Sequence, residues 1–170
     1  MADERGRADW VVRWPVQQED IDRFGIDQDD STHQQLLEAL AALVALRLWK
    51  QIWQQDRIML DVRSDNMTTL AMISRMKAKI PSLRIVAAEM ALLLADSAHM
   101  PWVVEHTLGI QNLVADICSR KFEPGFAFHL PAALSETTCC TPPARGELWY
   151  RTLRTPGQRR RRGLTRDLSA

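Results

Sequence analysis

No stretch of this 170-residue chain is apolar for long enough to cross a bilayer as a helix. The longest such run, about Leu40–Leu48, is interrupted by Arg47. The amino terminus, Met-Ala-Asp-Glu-Arg-Gly-Arg, has no apolar segment behind it, so no secretory signal is expected. Cysteine is scarce. There are three, and Cys139 and Cys140 are adjacent, which makes neither a disulfide framework nor a zinc pattern. That usage suits a reducing compartment, cytoplasmic or nuclear. A Gly-rich phosphate loop, a Gly-x-Ser-x-Gly elbow and a Cys–His pair at catalytic spacing are all missing, which argues against nucleotide-loop, serine-hydrolase and thiol-protease chemistries.

What the chain does have is an uneven charge distribution and a regular alternation of elements. The net charge of +1 conceals a mildly acidic body and a basic end, in which residues 141–170 hold eight arginines against Glu147 and Asp167. Such an end reads either as an electrostatic handle for nucleic acid or as an idle, solvated tail. Trp10–Trp14 is β-branched and aromatic, and Pro15 ends it as a strand. Ser31 or Thr32 can cap a helix over His33–Gln54, where Leu36, Leu37, Leu40, Leu43, Val44 and Leu48 recur at helical spacing. A strand over Ile58–Ser64 follows, then helices over Met67–Lys77 and Ser82–Ala98, the second opened by Pro81. A strand over Pro101–His106 and a helix over Gln111–Lys121 close the series. This order predicts the α/β class, with a partly parallel sheet covered by helices.

The length suits one domain. Residues 1–9 read as a flexible leader and 10–123 as the folded body. Residues 124–170 hold five of the eight prolines and the run Arg159–Arg162, and read as a mostly disordered Pro/Arg-rich tail that adds no core from about Thr137 onward.

Three acids stand where these elements would gather them. Glu38 lies in an apolar stretch of the long helix, where a carboxylate is costly to bury alone. Asp65 follows the Ile58–Ser64 strand, and Asp116 lies in the closing helix. Ligand sites in open α/β sheets collect beyond the carboxyl ends of strands. Clustered carboxylates without nearby Cys or His ligands favour hard cations, Mg²⁺ or Mn²⁺. Singly, such an acid is more often a helix cap or a solvent-facing side chain.

The blocks around these acids carry a resemblance. Leu37-Glu38-Ala39-Leu40, Arg63-Ser64-Asp65-Asn66 and His106-Thr107-Leu108-Gly109-Ile110-Gln111-Asn112-Leu113-Val114-Ala115-Asp116-Ile117-Cys118-Ser119-Arg120 are similar to ribonuclease H domains of retroelement reverse transcriptases, of the DIRS-like and gypsy-like kinds. The last block matches their His-x-x-Gly-x-x-Asn-x-x-Ala-Asp-x-x-Ser-Arg signature, and the resemblance spans about residues 10–122.

It implies a ribonuclease H-like mixed sheet flanked by helices. The implied activity is hydrolysis of RNA in RNA–DNA hybrids by two Mg²⁺ ions held by four carboxylates, three of them Glu38, Asp65 and Asp116. His106 would match a mobile histidine assisting product release or proton transfer. Asn112 would match an asparagine that hydrogen-bonds near the site. A polymerase domain of the same polyprotein is an implied partner.

The family's fourth carboxylate sits on a first strand, with two more strands before the Glu38-type helix. Trp10–Trp14 aligns with a later strand of that opening, so the first strand is expected to lie before Met1 and activity to be weak. Two other functions are open: a non-catalytic nucleic-acid-binding remnant and a small protein-interaction domain using an exposed edge strand and the tryptophans. In the first of these, Arg75, Lys77, Lys79, Arg84, Arg159, Arg160, Arg161 and Arg162 contact phosphates.

Overall fold

The computed structural model describes residues 10–26, 32–54, 59–95, 103–109, 112–142 and 144. The leader, Arg159–Arg162 and most of the basic end lie outside these residues.

Three helices form the centre. α2 (Thr32–Leu48) buries Leu36, Ala39, Leu40, Leu43 and Val44 along one stripe, the spacing that puts residues on a single helix face. α5 (Pro81–Ala95) answers with Leu83, Val86, Ala87, Met90, Leu93 and Leu94, and α4 (Met67–Arg75) with Thr69, Leu70, Met72 and Ile73. α2 packs against both. Leu37 and Leu48, expected on the stripe, are only half-buried. Arg47 enters the interior instead, because α5 presents Glu89 to it. The two form a salt bridge with side chains 5% and 0% exposed.

The helix expected over His33–Gln54 is interrupted at Trp49, after which α3 (Lys50–Gln54) resumes. Trp53 on α3 is buried and donates its indole N–H to the Leu46 carbonyl at 2.8 Å, fixing the bend. A further helix, α1 (Gln18–Phe24), occupies the polar stretch that periodicity passes over. Its start is closed by the Gln17 N–H donating to Asp20 Oδ2 at 3.0 Å, and its end by Gly25 in the left-handed region at φ 61°.

β2 (Asp61–Ser64) and β3 (Val103–His106) pair in parallel, Ser64 opposite His106, with α4 and α5 as the crossover that a parallel pair requires. α6 (Leu113–Ser119) follows and runs into a 3-10 turn over Arg120–Phe122. The α/β class is therefore present.

A single mixed sheet is not found among the described residues. Among the described residues there are two separate two-stranded parallel sheets. β1 (Trp10–Val12), expected within an opening hairpin, pairs instead with β4 (Thr138–Cys140) near the far end of the chain. Three-residue strands carry few ladder bonds, and β1 finds its partner outside the β2–β3 pair. The elements also continue past residue 123, with a 3-10 turn at Ala132–Leu134, the buried Leu134, and β4. From Thr137 on, no described residue is buried. No helix among the described residues is long and apolar enough to cross a membrane.

Candidate functional site

The carboxyl ends of β2 and β3 form the floor of the site. Beyond Ser64 the chain turns into α4, and Asn66 caps that helix, its side-chain oxygen accepting from Thr68 N–H at 2.9 Å and Thr69 N–H at 3.1 Å. The Asn66 N–H in turn donates to Ser64 Oγ at 3.0 Å. This tight corner projects Asp65 outward, where it is exposed.

α2 brings Glu38 to the same corner. Ser64 Oγ donates to Glu38 Oε2 at 3.3 Å, across 26 residues of sequence. Burial pushes the Glu38 carboxyl above its ordinary range. Hydrogen bonds from Asn66, Ser64 and Gln34 pull it down, while the negative charge of Asp65 pushes it further up. Glu38 and Asp65 are thus electrostatic neighbours.

The third block enters from β3 and α6. Asn112 Nδ2 donates to Asp65 Oδ1 at 3.0 Å, and a Cβ on Gly109 would stand 3.6 Å from Asp65 Oδ2. Thr107 N–H donates to the Ser64 carbonyl at 3.0 Å, extending the β2–β3 ladder by one rung. His106, exposed, lines an open cleft of about 370 Å³ with Arg63, Glu105, Thr107 and Asn112. Arg63 bridges Asp61 at 2.9 Å and Glu105 at 3.1 Å, so the cleft's one arginine is already paired with acids.

Glu38, Asp65 and Asn112 therefore come together, with His106 beside them. Asp116 lies on the helix that follows Asn112. It sits on exposed α6, one turn beyond Asn112, and its N–H donates to the Asn112 carbonyl at 3.0 Å. Among the described residues no three of His, Cys, Asp and Glu group as metal ligands do. Two neighbouring carboxylates attract a hard cation, but two ions at a fixed separation need more oxygen ligands than this pair supplies.

The basic residues Arg75, Lys77, Lys79 and Arg84 are all exposed and lie around the α4–α5 corner. α4 starts at Met67, two residues after Asp65, and ends at Arg75, so at ~1.5 Å per residue Arg75 stands roughly 12 Å along the helix from its start. Three contributors were not singled out from sequence: Ser64 as the bridge to Glu38, Asn66 as the cap, and Thr107 as the added rung. Only Asn66 carried a local signal, an Asn immediately before an apolar helical run.

No protein-family model, curated protein or solved structure matches this chain.

Proposed function

We propose that this chain is a ribonuclease H-like domain of retroelement origin that engages RNA–DNA hybrid through the carboxyl ends of β2 and β3, with little or no strand cleavage of its own. The observation that carries this reading is the meeting of three separated sequence blocks at one corner. Glu38 from the long helix, Ser64-Asp65-Asn66 from the strand end and Asn112 from the closing segment are joined by hydrogen bonds. Their order along the chain is the order in which the resemblance aligns them. A corner at the carboxyl ends of parallel strands is where open α/β sheets bind ligands.

In this reading Glu38, Asp65 and Asp116 are the family's metal-site acids, His106 and Asn112 flank them, and Mg²⁺ or Mn²⁺ is the cation. The polymerase of the same polyprotein is the partner that would deliver the hybrid. Among the described residues no three His, Cys, Asp or Glu side chains group as metal ligands, which favours a second reading, a non-catalytic nucleic-acid-binding remnant.

One experiment separates these. Binding of a fluorescein-labelled RNA–DNA hybrid and of the same-sequence DNA duplex is measured by anisotropy, and hybrid cleavage is followed in Mg²⁺ and in Mn²⁺. The proposal expects tighter binding of hybrid than of duplex and cleavage near background. Equal binding of hybrid and duplex with no cleavage supports the remnant. Robust cleavage abolished by Asp65→Asn would overturn the claim of weak activity while keeping the family. Absence of any hybrid binding at low salt would remove both readings.

A further inference from the structure

Away from the carboxylates, β1, α6 and β4 converge on Arg13, in the segment just after β1. Its Nη2 lies 3.5 Å from Cys139 Sγ on β4. The same guanidinium interacts with the Cys118 thiol on α6, and Cys139 is within electrostatic reach of Cys118. Arg13 also lies over the Phe128 ring at 5.1 Å, and Lys121, three residues after Cys118, lies over that ring at 5.6 Å. The β1 segment and the end of α6 are therefore adjacent by contacts independent of the sulfurs. Arg13 Nε and Nη1 are buried without hydrogen-bond partners among the described residues. Sulfur is a weak acceptor, so this guanidinium has poor partners for a buried cation.

We propose that Cys118 and Cys139 are a redox pair whose disulfide clamps α6 to β4. Cys139 is exposed and Cys118 half-buried, so Cys139 meets hydrogen peroxide first. Its thiolate attacks one peroxide oxygen. The O–O bond breaks and the other oxygen leaves as hydroxide, which takes up the thiol proton to become water. The resulting sulfenic acid condenses with the Cys118 thiol, forming the S–S bond and releasing a second water. Two thiols lose two electrons, and one hydrogen peroxide gains them. Both sulfurs lie beside one guanidinium, and a bond between them needs the two Cα atoms to stand within about 7 Å of each other. Cys140, the other thiol on β4, is the internal control.

The consequence lies in how α6 is held. The helix has no buried residue, and its start is tied to the body by the Asn112–Asp65 hydrogen bond. A bond from Cys118 to Cys139 would fix its other end, closing a loop with 20 residues between the two cysteines. A loop of that size stabilises by constraining the unfolded chain. This inference does not depend on the nuclease reading.

The test treats the full chain with hydrogen peroxide under native conditions, then maps peptides without reduction. The expected product is a Cys118–Cys139 linked pair, retained in Cys140→Ser and lost in Cys118→Ser and Cys139→Ser. The melting temperature should rise on the order of 5–10 °C, reversibly with dithiothreitol. Amide exchange over Leu113–Ser119 should slow by tenfold or more. A Cys139–Cys140 link, or sulfinic acid at Cys139 with Cys118 untouched, would overturn the pairing. A Cys118–Cys139 link that leaves α6 exchange unchanged would overturn the clamp.

Discussion

Asn112 Nδ2 donates to Asp65 Oδ1 at 3.0 Å, and this bond ties the start of α6 to the end of β2 across 47 residues. Asn112 stands at the N-cap position of α6, yet its side chain makes no capping bond there. The amide is given to Asp65 instead, so a local helix-capping preference yields to a long-range contact.

Asn112→Ala should cost about 1.5–3 kcal/mol, the range for a hydrogen bond to a charged group. The loss should concentrate in α6, because no buried residue holds that helix. Amide exchange over Leu113–Ser119 should accelerate while exchange over α5 stays unchanged. Equal acceleration in both helices would show that α6 is part of the cooperative core.

The Arg47–Glu89 pair makes a sharper prediction. Glu89→Ala leaves the Arg47 charge in a site where its side chain is 5% exposed, and should cost about 3–5 kcal/mol. Arg47→Met combined with Glu89→Leu removes both charges and restores apolar volume. Chemical denaturation should find the double variant more stable than Glu89→Ala alone. If the two changes simply add, the pair is not coupled.

Glu38 supplies a pH dependence with a definite sign. Burial first, and Asp65 after it, hold its carboxyl above the ordinary value, so the folded state binds the proton more tightly than the unfolded chain. The stability contributed by that proton is fully present below the unfolded value, 4.5, and is lost as pH rises through the higher folded value. Glu38→Gln should therefore raise the melting temperature at pH 7 and lose that advantage near pH 4. An advantage that grows on acidification would contradict the assignment.

Asn66→Ala removes the α4 cap and should cost about 0.5–2 kcal/mol. It also removes a hydrogen bond that lowers the Glu38 carboxyl, so the Glu38 titration, followed by carboxyl NMR, should move to higher pH. Asn66→Asp should keep the cap, because its side-chain oxygen can accept from the same two amides.

Replacing Arg75, Lys77, Lys79 and Arg84 together by alanine should flatten the salt dependence of hybrid binding. If all four contact phosphates, the slope of log K against log salt falls by about 3.6. The charges stand around the α4–α5 corner, at the other end of α4 from Asp65, a separation that a duplex laid across the site can span. An unchanged slope would mark these residues as a solvated corner.

Much of the helical content was legible in the residues. Leu36, Leu40, Leu43 and Val44 repeat at helical spacing and are buried as that spacing requires. Pro81 opens α5, and β2 and β3 lie within their expected runs. The meeting of Glu38 with Asp65 was likewise foreseeable, because a strand end and a helix face are set by local pattern. α1 was not legible. Its start depends on one backbone bond to Asp20 and its end on Gly25, while it offers only Phe24 and Asp20 for burial.

The sequence by itself therefore determined α2, α4, α5 and α6, the two strands of the site and the class of the fold. Periodicity, proline position and capping act between residues a few places apart, so the chain can be read for them locally. Only the tertiary structure decided that Arg47 enters the core, that β1 pairs with β4 rather than with the β2–β3 sheet, and that Asn112 gives its side chain to Asp65. Each of those outcomes depends on which faces meet across tens of residues. Arg47 is buried because Glu89 faces it from another helix, and β1 pairs where an edge of matching length lies beside it.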